Sequence, residues 1–175
     1  NYAPLTLRYA LLSIPYRNPI DLSPEFLEDA GIHYERLIEA YGASLSSDSD
    51  SGADLSEASQ RITDAMNDDF NSRAAIIGIQ EVVSQYSGRD VATWLEMYAG
   101  EVLGLLPSSE EVLAVRAKAD SARAEVADKV EALLSEREIA RQSKDWSRAD
   151  EIRDELTTMG VIVEDGPDGP TWRLD

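Results

Sequence analysis

The feature that most constrains this chain is residues 108–140, which hold no glycine and no proline and are rich in Ala, Glu and Val. Glycine costs about 1 kcal/mol and proline about 3 kcal/mol inside a helix, so a run free of both predicts one long, continuous helix. Its apolar residues cluster late, at Val126, Val130, Leu133 and Leu134. The helix is therefore expected to link two parts, each of which must supply its own partner surfaces.

The segment before it, 1–107, reads as a helical bundle. Leu5, Leu7, Tyr9, Leu11 and Leu12 suit a buried helix between Pro4 and Ser13. Ser23 followed by Pro24 is an N-cap with proline at the first helical position. Phe26, Leu27, Ala30, Tyr34, Leu37, Ile38 and Tyr41 then recur at three- and four-residue spacing, which marks one core-facing stripe. Residues 42–54 are nearly all Ser, Asp, Gly and Ala, which predicts a mobile loop with too little apolar area to offset ordering. A third stripe (Leu55, Ala58, Ile62, Ala65, Met66) stops near Asn67, Asp68 and Asp69, and Asn71 or Ser72 is placed to cap a fourth through Ile76, Ile77, Ile79, Val82 and Val83, ended by Gly88. Asp90 is placed to cap a fifth, carrying Val91, Trp94, Leu95, Tyr98, Val102 and Leu103 and closing at Gly104 to Pro107.

After the long helix, Asp145 is placed to cap a final helix ending at Met159, with Gly160 supplying a left-handed C-terminal position. Val161, Ile162 and Val163 face Thr171 to Leu174 across a Gly/Pro/Asp turn, a hairpin pattern. The expected fold is mainly α: an antiparallel helical bundle over 1–107, a connecting helix over 108–140, and a small α+β module with a C-terminal β-hairpin over 141–175.

The absence of cysteine, with His33 as the single histidine, removes disulfides, Cys/His zinc sites, thiol nucleophiles and Ser-His-Asp triads together. No apolar run approaches the roughly 18 residues that span a bilayer, and the first residues lack the order of a secretory signal, so a cytoplasmic protein is expected. A net charge of -18 argues against nucleic acid, because phosphate contacts need a basic footprint. Yet 34 carboxylates stand against thirteen arginines and only three lysines and are spread along the chain, as in a salt-adapted (halophilic) surface. In molar salt the Debye length falls to about 3 Å, so local contacts decide binding. The rival expectation is an acidic helical interaction domain that takes a basic protein partner and no RNA. A third, catalytic expectation would gather Asp64, Asp68 and Asp69 around a hard cation, although helix capping explains these acids with less machinery.

Continuing the stripe of the long helix by about 100° per residue brings Arg137 and Arg141 onto the side of Val130, Leu133 and Leu134. On the last helix Ala149, Ile152, Leu156 and Met159 form one arc, beside a second made of Trp146, Asp150 and Arg153. An aromatic surface flanked by charged groups is what unpaired RNA bases require, one to stack on and the others to read their edges. Each element also has a plainer reading. The arginines can snorkel or pair with carboxylates, Trp146 can anchor the hairpin, and Asp150 with Arg153 can form a surface pair worth under ~1 kcal/mol.

The residues from Leu133 onward resemble the C-terminal signature of the cysteinyl-tRNA synthetases: Leu133-Leu134, Arg137, Ala140-Arg141, Lys144-Asp145-Trp146, Ala149-Asp150, Arg153-Asp154, Leu156, Gly160-Val161, Val163-Glu164-Asp165-Gly166, Gly169 and Trp172-Arg173. Further blocks keep the family's order: Leu7-Arg8-Tyr9, Leu11-Leu12-Ser13 with Tyr16-Arg17, residues 65–71, and Leu103 to Leu106. The resemblance implies a DALR-type helical bundle lying along the inner face of a tRNA, followed by a module that grips the anticodon. It implies tRNA-Cys and an N-terminal catalytic domain of the same enzyme as partners, rather than DNA or a membrane. ATP and zinc would belong to that catalytic domain, with no catalytic residue, metal or cofactor here. Carried over position by position, the anticodon pocket falls on Arg141, Trp146, Asp150 and Asp165, with Trp146 as the stacking surface; Arg137, Lys144 and Arg153 would support it. Arg141 would offer paired donors to a purine edge, and the ionised Asp150 and Asp165 would accept from base amino or imino groups. The sequence departs from the family at Asn67, where another aspartate is usual, at Ser72-Arg73, which replaces Thr-Pro, and at Pro170, where threonine is usual.

Overall fold

The computed structural model describes residues 2–166 and 169–174. The chain divides into two compact units, 1–116 and 117–175, and the division falls inside the long helix.

The first unit is helical. It contains α1 (Pro4–Leu12), α2 (Pro24–Leu45), α3 (Ser56–Asn67), α4 (Ser72–Gln85) and α5 (Arg89–Leu95), which passes without a break into a π-helical stretch, Glu96–Val102. The caps follow the sequence signals at two helices: the Ser23 hydroxyl accepts from Phe26 N–H ahead of Pro24, and the Asn71 side chain accepts from Ala74 N–H. Leu27, Ala30, Tyr34, Leu37 and Tyr41 bury one face of α2. Against it lie Tyr9 and Ala10 of α1, Ile76, Ile79 and Val82 of α4, and Val91 and Leu95 of α5. Buried phenols need partners, and they have them: Tyr34 donates to the Leu105 carbonyl at 3.1 Å and Tyr41 to Glu96 Oε1 at 2.8 Å. Burial pushes the Tyr34 hydroxyl up to about 12, so it stays a donor at any ordinary pH.

Three local expectations need correcting. The loop expected from Gly42 begins later, because α2 runs on to Leu45 with Gly42 and Ser44 buried. A Cβ on Gly42 would come within 3.1 Å of Val112 Cγ1, so the residue that reads as loop composition is a close-packing site inside a helix. Nor does Asp90 cap α5. Gly88 takes that position, and the Asp90 carboxylate accepts from Ser51 N–H (2.7 Å) and Ser51 Oγ–H (2.6 Å), tying the serine-rich loop to the bundle. Gly88 therefore does not end α4, which stops at Gln85; a Cβ at Gly88 would press on the Asp50 backbone at 2.9 Å.

The long helix, α6 (Ser109–Gln142), is continuous. It starts with a capping box that the composition argument passed over: the Glu111 N–H donates to Ser108 Oγ, and Glu111 Oε2 accepts from the Ser108 N–H. The second unit holds the rest of α6, α7 (Trp146–Thr158), and the strands β1 (Val161–Gly166) and β2 (Gly169–Leu174). The strands are antiparallel, pairing Val161 with Leu174, Ile162 with Arg173 and Val163 with Trp172. A separate core of Val130, Leu133, Leu134, Ile152, Leu156 and Val161 fills this unit, with Val126, Met159, Val163 and Trp172 against it. Gly160 (φ +72°) makes the left-handed step from α7 to β1. No helix of the described residues is long and apolar enough to cross a membrane.

Candidate nucleic-acid interface

The candidate site is built where α6 gives way to α7. Ser143 N–H donates to the Ile139 carbonyl, Lys144 N–H to Arg141, and Asp145 N–H to Ala140 at 2.8 Å, which closes the helix in a tight turn. Lys144 takes the left-handed region at φ +60° to make it, a conformation uncommon outside glycine. Asp145 then caps α7, its carboxylate accepting from Arg148 N–H at 3.1 Å. This places Trp146 at the first helical position, where no earlier turn covers it, and its side chain is 60% exposed. Trp172 on β2, and not Trp146, is the indole packed against the core of this unit.

Asp150 lies one turn beyond Trp146 and Arg153 nearly a turn further, both exposed, while Ala149, Ile152 and Leu156 bury the adjoining face. Arg137 and Arg141 are half-buried, at the spacing that continues Val130, Leu133 and Leu134, and each already has an interacting neighbour. Lys144 is exposed in the turn. Asp165 stands in β1 opposite Pro170; the side chains of both lie outside the described residues. One end of the second unit thus carries an uncovered indole, a carboxylate, and cationic side chains on two helices and the turn between them.

A residue that the sequence reading missed is Arg148. Its Nε donates to Glu136 Oε1 at 2.9 Å, Nη2 approaches the same oxygen at 2.9 Å, and Nη1 donates to Glu151 Oε2 at 3.0 Å. The hydrogen bonds to Glu151 and Glu136 raise the guanidinium pKa further above its ordinary value. Its partner three residues on is a helix-neighbour spacing visible in sequence; the partner twelve residues back depends on the turn.

The carboxylate-metal alternative is corrected by the first unit's geometry. Asp69 accepts from Tyr16 Oη at 2.8 Å and from Arg17 Nε and Nη2 at 2.7 and 3.0 Å, and Asp64 accepts from Gln60 at 2.8 Å. Among the described residues no three His, Cys, Asp or Glu side chains are grouped to hold a metal.

Residues 123–173 match the family described as the cysteinyl-tRNA ligase anticodon binding domain. Curated relatives described as cysteine–tRNA ligases, from Salmonella paratyphi B, Salmonella newport and Salmonella typhi, are 40% identical over 177 aligned residues, covering 96% of this chain and 37% of each relative. The chain thus spans little more than a third of the length of these relatives, and the match takes in both units. With the family match lying over α6, α7 and the hairpin, and 40% identity along almost the whole chain, the protein belongs to the cysteinyl-tRNA synthetase family, in the region that forms the C-terminal part of its members.

Proposed function

We propose that this chain is the tRNA-binding part of a cysteine–tRNA ligase, gripping the anticodon of tRNA-Cys with its second unit and meeting the inner corner of the tRNA with its helical bundle. The observation that carries the reading is Trp146: an indole left 60% exposed at the first turn of α7, within the segment matched by the anticodon-binding family. An exposed ring held by a capped helix gives an unpaired base a face to stack on. Asp150 supplies an acceptor beside it, and Arg141 and Asp165 are the other two residues proposed to read the anticodon. Arg137, Lys144 and Arg153 contribute neighbouring positive charge. The ligation of cysteine to tRNA-Cys with ATP belongs, in this reading, to a catalytic domain of the same cytoplasmic enzyme. A chain with no cysteine and one histidine cannot furnish that domain's zinc ligands. The acidic surface fits a salt-rich cell, where screening to about 3 Å makes short-range stacking and hydrogen bonding the terms that decide.

Trp146→Ala is expected to weaken binding of a tRNA-Cys transcript by about 1–3 kcal/mol, the scale of one lost base–aromatic stack. Titration in molar potassium salt with matched and anticodon-swapped transcripts tests it. Unchanged affinity of the variant, or equal affinity for every anticodon, would instead favour an acidic interaction domain with a protein partner.

A further inference from the structure

The core of the second unit stops short of the end that carries the proposed site. On α6 its buried cluster reaches Leu134, and on α7 it begins at Ile152. Beyond these, toward the turn, the buried apolar residues that α6 and α7 contribute among the described residues are Ala140 and Ala149. Alanines have little surface to interlock, so packing alone fixes the rotation of the first turn of α7 less firmly than that of its second half. Trp146 and Asp150 both sit on that first turn and a half. Arg148 lies between them, and its guanidinium crosses to Glu136 on α6 while also holding Glu151 on its own helix. A planar fork with donors in a fixed geometry restrains angle as well as distance, which a lysine in the same place would not do.

We propose that Arg148 is a positioning residue for RNA recognition, setting through its bridge to Glu136 where α7 presents Trp146 and Asp150 relative to Arg137 and Arg141. The inference rests on the anticodon-binding reading above. Arg148 does not need to touch RNA. An exposed ion pair contributes little to stability, so the effect belongs in binding rather than in the unfolding midpoint.

The discriminating variant removes an acid. Glu136→Met takes one negative charge from a protein of net charge -18 and frees Arg148 from one of its two carboxylates. By simple electrostatics, or if Arg148 were a direct phosphate contact, the anticodon stem-loop of tRNA-Cys would bind more tightly. Positioning requires the reverse. Binding should weaken about two- to fivefold, the ratio that the coupling of one exposed pair allows, with an unchanged melting temperature. Arg148→Met should lose at least the same factor, and the charge-swapped pair Glu136→Arg with Arg148→Glu should recover part of it, the rest being withheld by the acid then placed beside Glu151. Glu136→Gln, which keeps an acceptor, should lie between wild type and Glu136→Met, and carries the test should Glu136→Met lower the melting temperature.

All measurements use the whole 175-residue chain and fluorescence anisotropy of a labelled stem-loop. Equal or tighter binding by Glu136→Met, while Trp146→Ala still weakens it, overturns the positioning role and leaves the anticodon reading standing. Loss of the Trp146→Ala effect overturns both.

Discussion

At the scale of single residues, Asp69 shows how a local contact sets a pH response. It is held by the bidentate Arg17 guanidinium and the Tyr16 hydroxyl, and these hydrogen bonds pull its carboxyl down to about 2. Asp69 and Phe70 both sit in the left-handed region, at φ +53° and +54°, so the clamp also holds a backbone turn that neither side chain prefers. The sign follows from linkage. A carboxyl depressed in the folded state stabilises it above the unfolded pKa near 3.9, and that contribution disappears as pH falls toward the folded value of about 2. Asp69→Asn is therefore expected to be less stable than wild type at neutral pH, with the gap closing between about pH 4 and pH 2 in urea unfolding followed at a series of pH values. A gap that stayed constant through that window would show that Asp69 acts through shape alone. Asp69 was legible in the sequence as a helix boundary; the partners that make it sensitive to acid, more than fifty residues away in the chain, were not.

At the scale of elements, the stripes of apolar residues translate almost directly. Those read for α2, α3, α4, α6 and α7 supply the buried faces of these helices, because a three- and four-residue period has one burial solution on a helix. The failures share a cause. Gly42, Gly88 and Asp90 have local signals for loop, stop and cap, and each is overruled by a partner distant in sequence: Val112, the backbone near Ser51, and Ser51 itself. The proposed site was legible to the extent that its geometry is helical, since the Asp145 cap and a single turn set Trp146 and Asp150 relative to each other. What was hidden is the Arg148–Glu136 bridge, which exists only once the turn at Lys144 folds α7 back on α6. The apolar side of that pair gives its own prediction. Ile152 is fully buried in a small cluster, so Ile152→Ala is expected to cost about 2–5 kcal/mol and to raise amide exchange in α7, β1 and β2 while leaving exchange in α2 and α4 unchanged. Loss of protection in both sets of helices would mean that the two cores open together.

At the scale of the molecule, charge and core are shared unequally. Residues 1–116 carry seven arginines, no lysine and nineteen carboxylates, while residues 117–175 carry nine basic and fifteen acidic side chains. The second unit is thus the less negative of the two, and it also contains the match to the anticodon-binding family. Among the described residues, six cluster in its core against twenty-one in that of the first. Under the proposed anticodon binding, RNA would add its own contribution to the stability of this unit. A ligand at about a hundred times its dissociation constant adds roughly 2.7 kcal/mol to whatever it binds folded. On that reading, tRNA-Cys anticodon stem-loop at that concentration should raise the melting transition of α7 and the hairpin above that of the free protein, and Trp146→Ala should reduce the rise at the same concentration. If α7 and the hairpin grip an anticodon as proposed, the RNA they hold would also help to keep them folded, and its release would leave them more open to proteases.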